Sequence, residues 1–246
     1  MNLQICSKNT VCDRMAIRHK AVKETLDRGY ASEWNDDHQL DPTDEIIFFT
    51  TFIEQALASL WDSAQCSGGA AVGVALDSDH AFFTANSGAG VGDKATVRKM
   101  LANAVGNITD PDDLPVLTMA NRITISVGAG TTHEFGLFVS ATTPFTANQE
   151  GAYFREAAGV LYAVTGTGAA ETATNLGAFS GYAVFRIEIL SASVKFYVSD
   201  LENAVATHTT NLPTNNLTIK LSAIGTAAGS QILRSDFVGL TRLRKH

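Results

Sequence analysis

From residue 45 onward the chain is interrupted every 8–14 residues by Gly, Asn, Asp or Ser-Gly, and this cadence constrains the fold more than any other feature. Such spacing leaves room for strands but not for the helices of βαβ units. About fourteen strands are predicted, at 46–53, 71–76, 80–85, 94–101, 117–127, 133–140, 151–156, 160–165, 171–175, 182–190, 193–199, 204–209, 216–223 and 231–243. Two of them show the two-residue period of a half-buried strand most cleanly. In YAVFRIEIL, Phe185, Ile187 and Ile189 share one face and Arg186 and Glu188 the other. In SVKFYVS, Val194, Phe196 and Val198 oppose Lys195 and Tyr197. The link Ser191-Ala192 is short enough for a tight hairpin. One short helix is predicted, at 53–61 (IEQALASLW). No repeat of 20–50 residues is visible, which argues against propellers and solenoids. The spacing predicts a sandwich or barrel over 44–246.

Residues 1–43 read differently. They hold 6 Lys/Arg and 7 Asp/Glu with few aliphatic pairs, too little apolar area to fold alone. An extended arm ordered by a partner is expected there. The start, MNLQICSKNTVCDRM, lacks the basic-then-apolar order of a signal peptide. No apolar run approaches the ~20 residues of a membrane helix. The three cysteines, Cys6, Cys12 and Cys66, are too few and too irregular for zinc or a disulfide framework, and whether Cys6 and Cys12 pair stays open. The net charge of −7 argues against a nucleic-acid partner. Arg242, Arg244, Lys245 and His246 read as a solvated terminus.

Two resemblances follow from particular residues. Arg18-His19-Lys20, followed by Trp34-Asn35-Asp36-Asp37-His38, resembles the N-terminal segment of tailed-phage virion and tail-fibre-like proteins, with Met15 where those proteins start. That resemblance implies a docking arm carried by Arg18, His19, Lys20, Trp34, Asn35 and His38. The second covers residues 45–243. The order FF-x-x-F, GAYFR, YAVFRIEI, VKFYV, VATHTTNLP and SDFVGLTRL is similar to concanavalin A-like lectin/glucanase jelly rolls of viral structural proteins. It implies an all-β, two-sheet antiparallel jelly-roll sandwich behind the arm.

Such a fold carries a small set of chemistries, each with its own residue requirements. Retaining glucanases on this fold resemble one another in an E-x-D-x-x-E strand, because retention needs two carboxyls ~5–5.5 Å apart. Here Glu150 and Glu156 flank GAYFR with Tyr153 between, and Glu134 and Glu188 each stand alone in their strands. There is no G-x-S-x-G elbow. The expectation is therefore a protein that is not an enzyme. Asp110, Asp112 and Asp113 in one loop could hold Ca²⁺, as could Asp77, Asp79 and His80, although acidic turns are common for conformational reasons alone. No cofactor is otherwise expected. The glycine-rich runs 66–73 and 86–92 lack a following GK[ST] and read as hairpin tips. Glycan binding needs an aromatic platform with polar flanks. Tyr153, Arg155, Tyr162 and Tyr197 are the candidates, against ordinary cross-strand pairing.

Together these readings predict a virion structural protein, displayed on the particle surface as a decoration, spike or tail-fibre component. It would form a homo-oligomer, with a trimer as the expected state, and dock on other virion proteins through residues 1–43. A host-surface glycan is its expected ligand. The alternatives are a glycan-binding module independent of any particle and a glycoside hydrolase on the same scaffold. No membrane association is expected.

Overall fold

The computed structural model describes residues 45–50, 61, 63–77, 80–100, 113–124, 131–139, 148–179, 181–225 and 232–244. The docking-arm residues and the helix expected at 53–61, except Trp61, lie outside them. No helix occurs among the described residues. Fifteen strands do: β1 (Glu45–Thr50), β2 (Ser63–Ser67), β3 (Ala71–Asp77), β4 (His80–Asn86), β5 (Lys94–Met100), β6 (Asp113–Thr124), β7 (Thr131–Val139), β8 (Gly151–Ala157), β9 (Val160–Gly166), β10 (Glu171–Ala178), β11 (Gly181–Leu190), β12 (Ser193–Val198), β13 (Ala206–His208), β14 (Leu217–Gly225) and β15 (Ile232–Arg244).

They form two sheets. One runs β13-β12-β11-β6-β15-β4-β3, with β1 also on β15; the other runs β10-β9-β8-β7-β14-β5-β2. Every pairing among β2 to β15 is antiparallel. The second sheet joins a local meander, β7 to β10, to strands from distant parts of the sequence.

The core lies between the sheets because each strand turns its apolar alternate residues inward. Phe135, Leu137, Phe154, Leu161, Leu217, Ile219 and Leu221 come from the seven-stranded sheet. Phe83, Phe185, Ile187, Ile189, Phe196, Leu233 and Leu240 meet them from the other. Phe185 touches Phe135 edge-on and Phe154 at a tilt, both at 4.8 Å between ring centres, and Phe154 meets Phe196 edge-on at 5.4 Å. Such aromatic pairs add about 0.5–1.5 kcal/mol each beyond area burial. The expected hairpin is present: Leu190 pairs with Ser193 across Ser191-Ala192. β11 alternates between buried and half-buried along its length, with Phe185, Ile187 and Ile189 inward.

β2, with sequence SAQCS, has no aliphatic alternation and was not predicted as a strand. Its five backbone pairs to β5 make it one. β6 starts four residues earlier than expected. Pro115 lies inside it, opposite Arg242 of β15.

Candidate functional site

The face of the seven-stranded sheet turned away from the core carries the chemistry. Register makes a continuous row across it. Thr96 of β5 pairs with Ser222 of β14, Ser222 with Glu134 of β7, Glu134 with Arg155 of β8, Arg155 with Tyr162 of β9, and Tyr162 with Asn175 of β10. Six consecutive strands thus present six polar side chains in line, roughly 24 Å at ~4.8 Å per strand. Strand alternation alone places them opposite the core residues Val97, Leu221, Phe135, Phe154 and Ala163.

Arg155 organises the row. Its Nε donates to Glu134 Oε1 at 2.9 Å. Its Nη1 and Nη2 donate to the two carboxylate oxygens of Glu171, at 3.0 and 3.2 Å. Nη2 also donates to the Tyr153 hydroxyl at 2.8 Å. Glu134 accepts a further bond from Gln149 Nε2 at 2.5 Å. Burial works against the guanidinium charge, but the bonds to Glu171 and Glu134 more than offset it and hold Arg155 above its ordinary value. Two carboxylates from strands three apart therefore converge on one cation.

The side chains of Arg155 and Glu171 are 21% and 26% exposed, whereas that of Glu134 is 2% exposed. The open part of the row is thus its β8–β10 end, where Tyr162 is half-buried and Asn175 exposed. Toward the middle of the sheet the same face is closed. Tyr153, Phe138 and Lys220 are buried, with the Phe138 and Tyr153 rings stacked at 4.4 Å. Gly136, at φ 146°, makes that packing feasible. A Cβ there would sit 2.7 Å from the Tyr153 Cα. Burial, then the negative charge of Glu134, raises the Tyr153 phenol well above its ordinary range. Lys220 is pushed down to about 8, chiefly by burial and next by Arg98, against the pull of Glu134. Its Nζ lies 5.2 Å from the Phe138 ring centre.

The four aromatic-site candidates therefore do not form one platform. Tyr153, Arg155 and Tyr162 share this face. Tyr153 is fully buried and held by Arg155, which takes it out of reach of a ligand. Tyr197 belongs to the outer face of the other sheet. It is 5% exposed, donates its hydroxyl to Glu188 Oε2 at 2.6 Å and lies under Arg186, which also pairs with Glu188. Of the three rings, Tyr162 alone keeps substantial exposure.

Asp113 opens β6 opposite Arg244, while Asp110 and Asp112 lie outside the described residues. Asp77 and His80 face each other across the β3–β4 hairpin, and Asp79 is not described. Among the described residues, no three His, Cys, Asp or Glu gather as a metal site. The glycine-rich runs 66–73 and 86–92 both turn onto the chain's own carboxylate: Gly69 N and Gly90 N donate to Asp93 Oδ2 at 3.0 and 2.9 Å.

Two histidines are buried on the core side. His133 Nδ1 donates to Glu156 Oε2 at 2.6 Å, and Glu156 Oε1 accepts from Gly159 N at 2.5 Å. His208 joins the two sheets, bonding Thr165 through Nδ1 at 3.0 Å and Thr174 through Nε2 at 2.9 Å, and burial pulls its pKa down. Both serve packing.

No protein-family model matches the chain, and no curated protein matches it in sequence. Solved structures do match in fold. A carbohydrate esterase from the Shiga toxin-encoding bacteriophage phi24B superposes with a TM-score of 0.54 at 12% identity, covering 82% of this chain and 100% of that one. A Bacteroides ovatus GH16 protein, in complex with a product, gives 0.55 at 8% identity, covering 79% and 100%. An alginate lyase of polysaccharide lyase family 7 gives 0.50 at 14%, covering 70% and 82%. The fold is the concanavalin A-like jelly roll. The expectation that the protein is not an enzyme is corrected by these likenesses, since the fold is shared with glycoside hydrolases and a carbohydrate esterase. That expectation rested on two carboxylates within a single strand. Glu134 and Glu171 both bond Arg155, from β7 and β10, a pairing no single-strand motif could reveal.

Proposed function

We propose that the chain is a carbohydrate-recognition protein whose glycan seats on the outer face of the seven-stranded sheet, at the β8–β10 end of the polar row. The observation that carries this is the register line Arg155–Tyr162–Asn175, a guanidinium, a half-exposed phenol ring and an exposed amide on three adjacent strands. The line spans about 10 Å, the reach of a disaccharide. The ring supplies an apolar face for a sugar and its flanks supply directed hydrogen bonds. Neighbours of the same fold named as a carbohydrate esterase, a glycoside hydrolase and an alginate lyase support a carbohydrate ligand.

A phage particle is the proposed setting, with residues 1–43 as the docking arm of a trimeric surface component. Its support is the Arg18-His19-Lys20 and Trp34–His38 resemblance together with the phage neighbour. Peptide mass spectrometry of purified particles tests this: tens to hundreds of copies are expected, and absence removes the virion setting.

A second reading, catalysis on the same face, is favoured by the convergence of Glu134 and Glu171 on Arg155. One carboxylate is nearly closed off and the other partly open, an asymmetry that suits unequal roles.

The test is affinity electrophoresis of the full chain against a panel of polysaccharides, with reducing-end and acetate release measured on the same panel. Retardation by at least one polymer is expected, together with its loss in Tyr162→Ala at unchanged Tm. Retardation that survives Tyr162→Ala would move the site elsewhere. Product release abolished by Glu134→Gln or Glu171→Gln would establish the catalytic reading.

A further inference from the structure

The polar groups at the open end of the row divide into those already spent and those still available. Arg155 is the one Lys or Arg in the segment 148–178. Of its five N–H groups, four hydrogen bonds are already drawn, to Glu134, to both oxygens of Glu171 and to the Tyr153 hydroxyl. Two carboxylates therefore outweigh its charge. An incoming anion finds no uncommitted cation here. It meets Glu171 first, because Glu134 is closed off.

Glu171 still has capacity. Each of its oxygens accepts one bond from Arg155, so a carboxylate with about four lone-pair sites keeps roughly two. Its side chain is 26% exposed, which makes those sites reachable from solvent. Arg155 also holds the carboxylate in place, so little side-chain freedom is lost when a ligand binds. Register puts Glu171, Ala173 and Asn175 on one face of β10, opposite Gly166, Val164 and Tyr162 of β9. Asn175 Oδ1 accepts from Gly177 N at 2.7 Å. That bond sets the orientation of the amide and leaves Nδ2, which has no partner among the described residues, as a donor. Ala173, between the two, is exposed and projects a single methyl. The outward side chains of β10 thus run acceptor, gap, donor over roughly 13 Å, with the Tyr162 ring beside the donor.

We propose that Glu171 is the specificity-determining residue of the glycan site, and that the site takes a neutral glycan and rejects an acidic one. This rests on the carbohydrate reading of the same face and narrows its substrate class. One sugar stacks on Tyr162 and accepts a hydrogen bond from Asn175 Nδ2. The next lies over Ala173 and donates two hydroxyls to Glu171. A hydroxyl that donates to a carboxylate makes a charge-assisted bond. A uronate carboxylate or a sulfate ester in that place sets like charges together and leaves both without a donor.

The experiment is affinity electrophoresis of the full chain in gels containing a neutral β-glucan, a neutral galactomannan, a polyuronate or a sulfated galactan. Retardation by a neutral polymer, and by neither acidic one, is expected. Glu171→Gln should weaken neutral binding about tenfold, the loss of one charge-assisted hydrogen bond. The same variant should begin to be retarded by the polyuronate, because Arg155 is released. The overall charge of −7 disfavours a polyanion almost equally in both proteins, so that gain reports on the site alone. Ala173→Leu fills the gap at an exposed position and should abolish retardation at unchanged Tm. Retardation of the unaltered chain by either acidic polymer would overturn the neutral class and leave the carbohydrate reading standing. Neutral binding unchanged in Glu171→Gln or in Ala173→Leu would overturn the role given to Glu171. So would continued rejection of the polyuronate by Glu171→Gln. No retardation in any gel would overturn both readings.

Discussion

The two faces of the seven-stranded sheet are built from the same strands, yet they solve burial in opposite ways. The core face is apolar and closes on the aromatic cluster of Phe135, Phe154, Phe185 and Phe196. Among the described residues it admits one buried acid, Glu156, paired with His133 and a backbone amide. The outer face is also buried over its middle, but with Glu134, Lys220, Thr96, Ser222 and Tyr153. A face buried by apolar contact is explained by folding. A face buried with polar and charged groups costs stability unless each group finds a partner, as Glu134 does in Arg155 and Gln149.

Breaking the core that this face closes against, from the opposing sheet, should have the largest effect. Phe185→Asp or Phe196→Asp places an unpaired charge among close-packed aromatics and is expected to abolish folding, read as loss of cooperative thermal unfolding. A folded variant would mean that the sandwich core tolerates charge at its centre.

A sharper comparison uses one substitution on both faces. Glu156→Ala leaves His133 in the core without its partner and should cost about 3–5 kcal/mol. Glu134→Ala removes the acceptor of both Arg155 and the buried Gln149, but Arg155 keeps Glu171 and some solvent, so roughly 1–3 kcal/mol is expected. Urea titration of both variants checks the order. A reversed order would make the outer cluster the structural one.

The smallest expected effect comes from pH. Lys220 is held at about 8 when folded, against an ordinary 10.5, so between those values the unfolded chain binds the extra proton. Stability therefore rises with pH across that window, and Lys220→Met should flatten the rise. His208 behaves alike at lower pH. Burial lowers its pKa below 6.5, so stability falls as pH drops through that value. Thermal melts from pH 5 to 10 test both slopes.

How much of this was legible in the sequence follows from the same contrast. Strict alternation in 182–190 and 193–198 fixed inward and outward residues and the hairpin between them. The β7–β10 half of the polar row is a meander, so Glu134, Arg155, Tyr162 and Asn175 could be aligned by folding successive hairpins. The β14–β5 half could not, because Ser222 meets Glu134 and Thr96 through pairings distant in sequence. Alternation placed Tyr153 on the outer face correctly but gave no sign that Phe138 stacks on it, with Gly136 letting it sit close. Tyr197 was likewise read as outward, and its closure by Glu188 and Arg186 depends on long side chains rather than on period.

The central claim is that the outer face of the seven-stranded sheet, and not that of its partner sheet, receives a glycan. Amide chemical-shift mapping of the full chain, titrated with an oligosaccharide from whichever polymer retards it, tests this most directly. The account expects saturable shifts concentrated on Arg155, Tyr162 and Asn175. Shifts centred instead on Arg186, Glu188 and Tyr197 of the other sheet would contradict it.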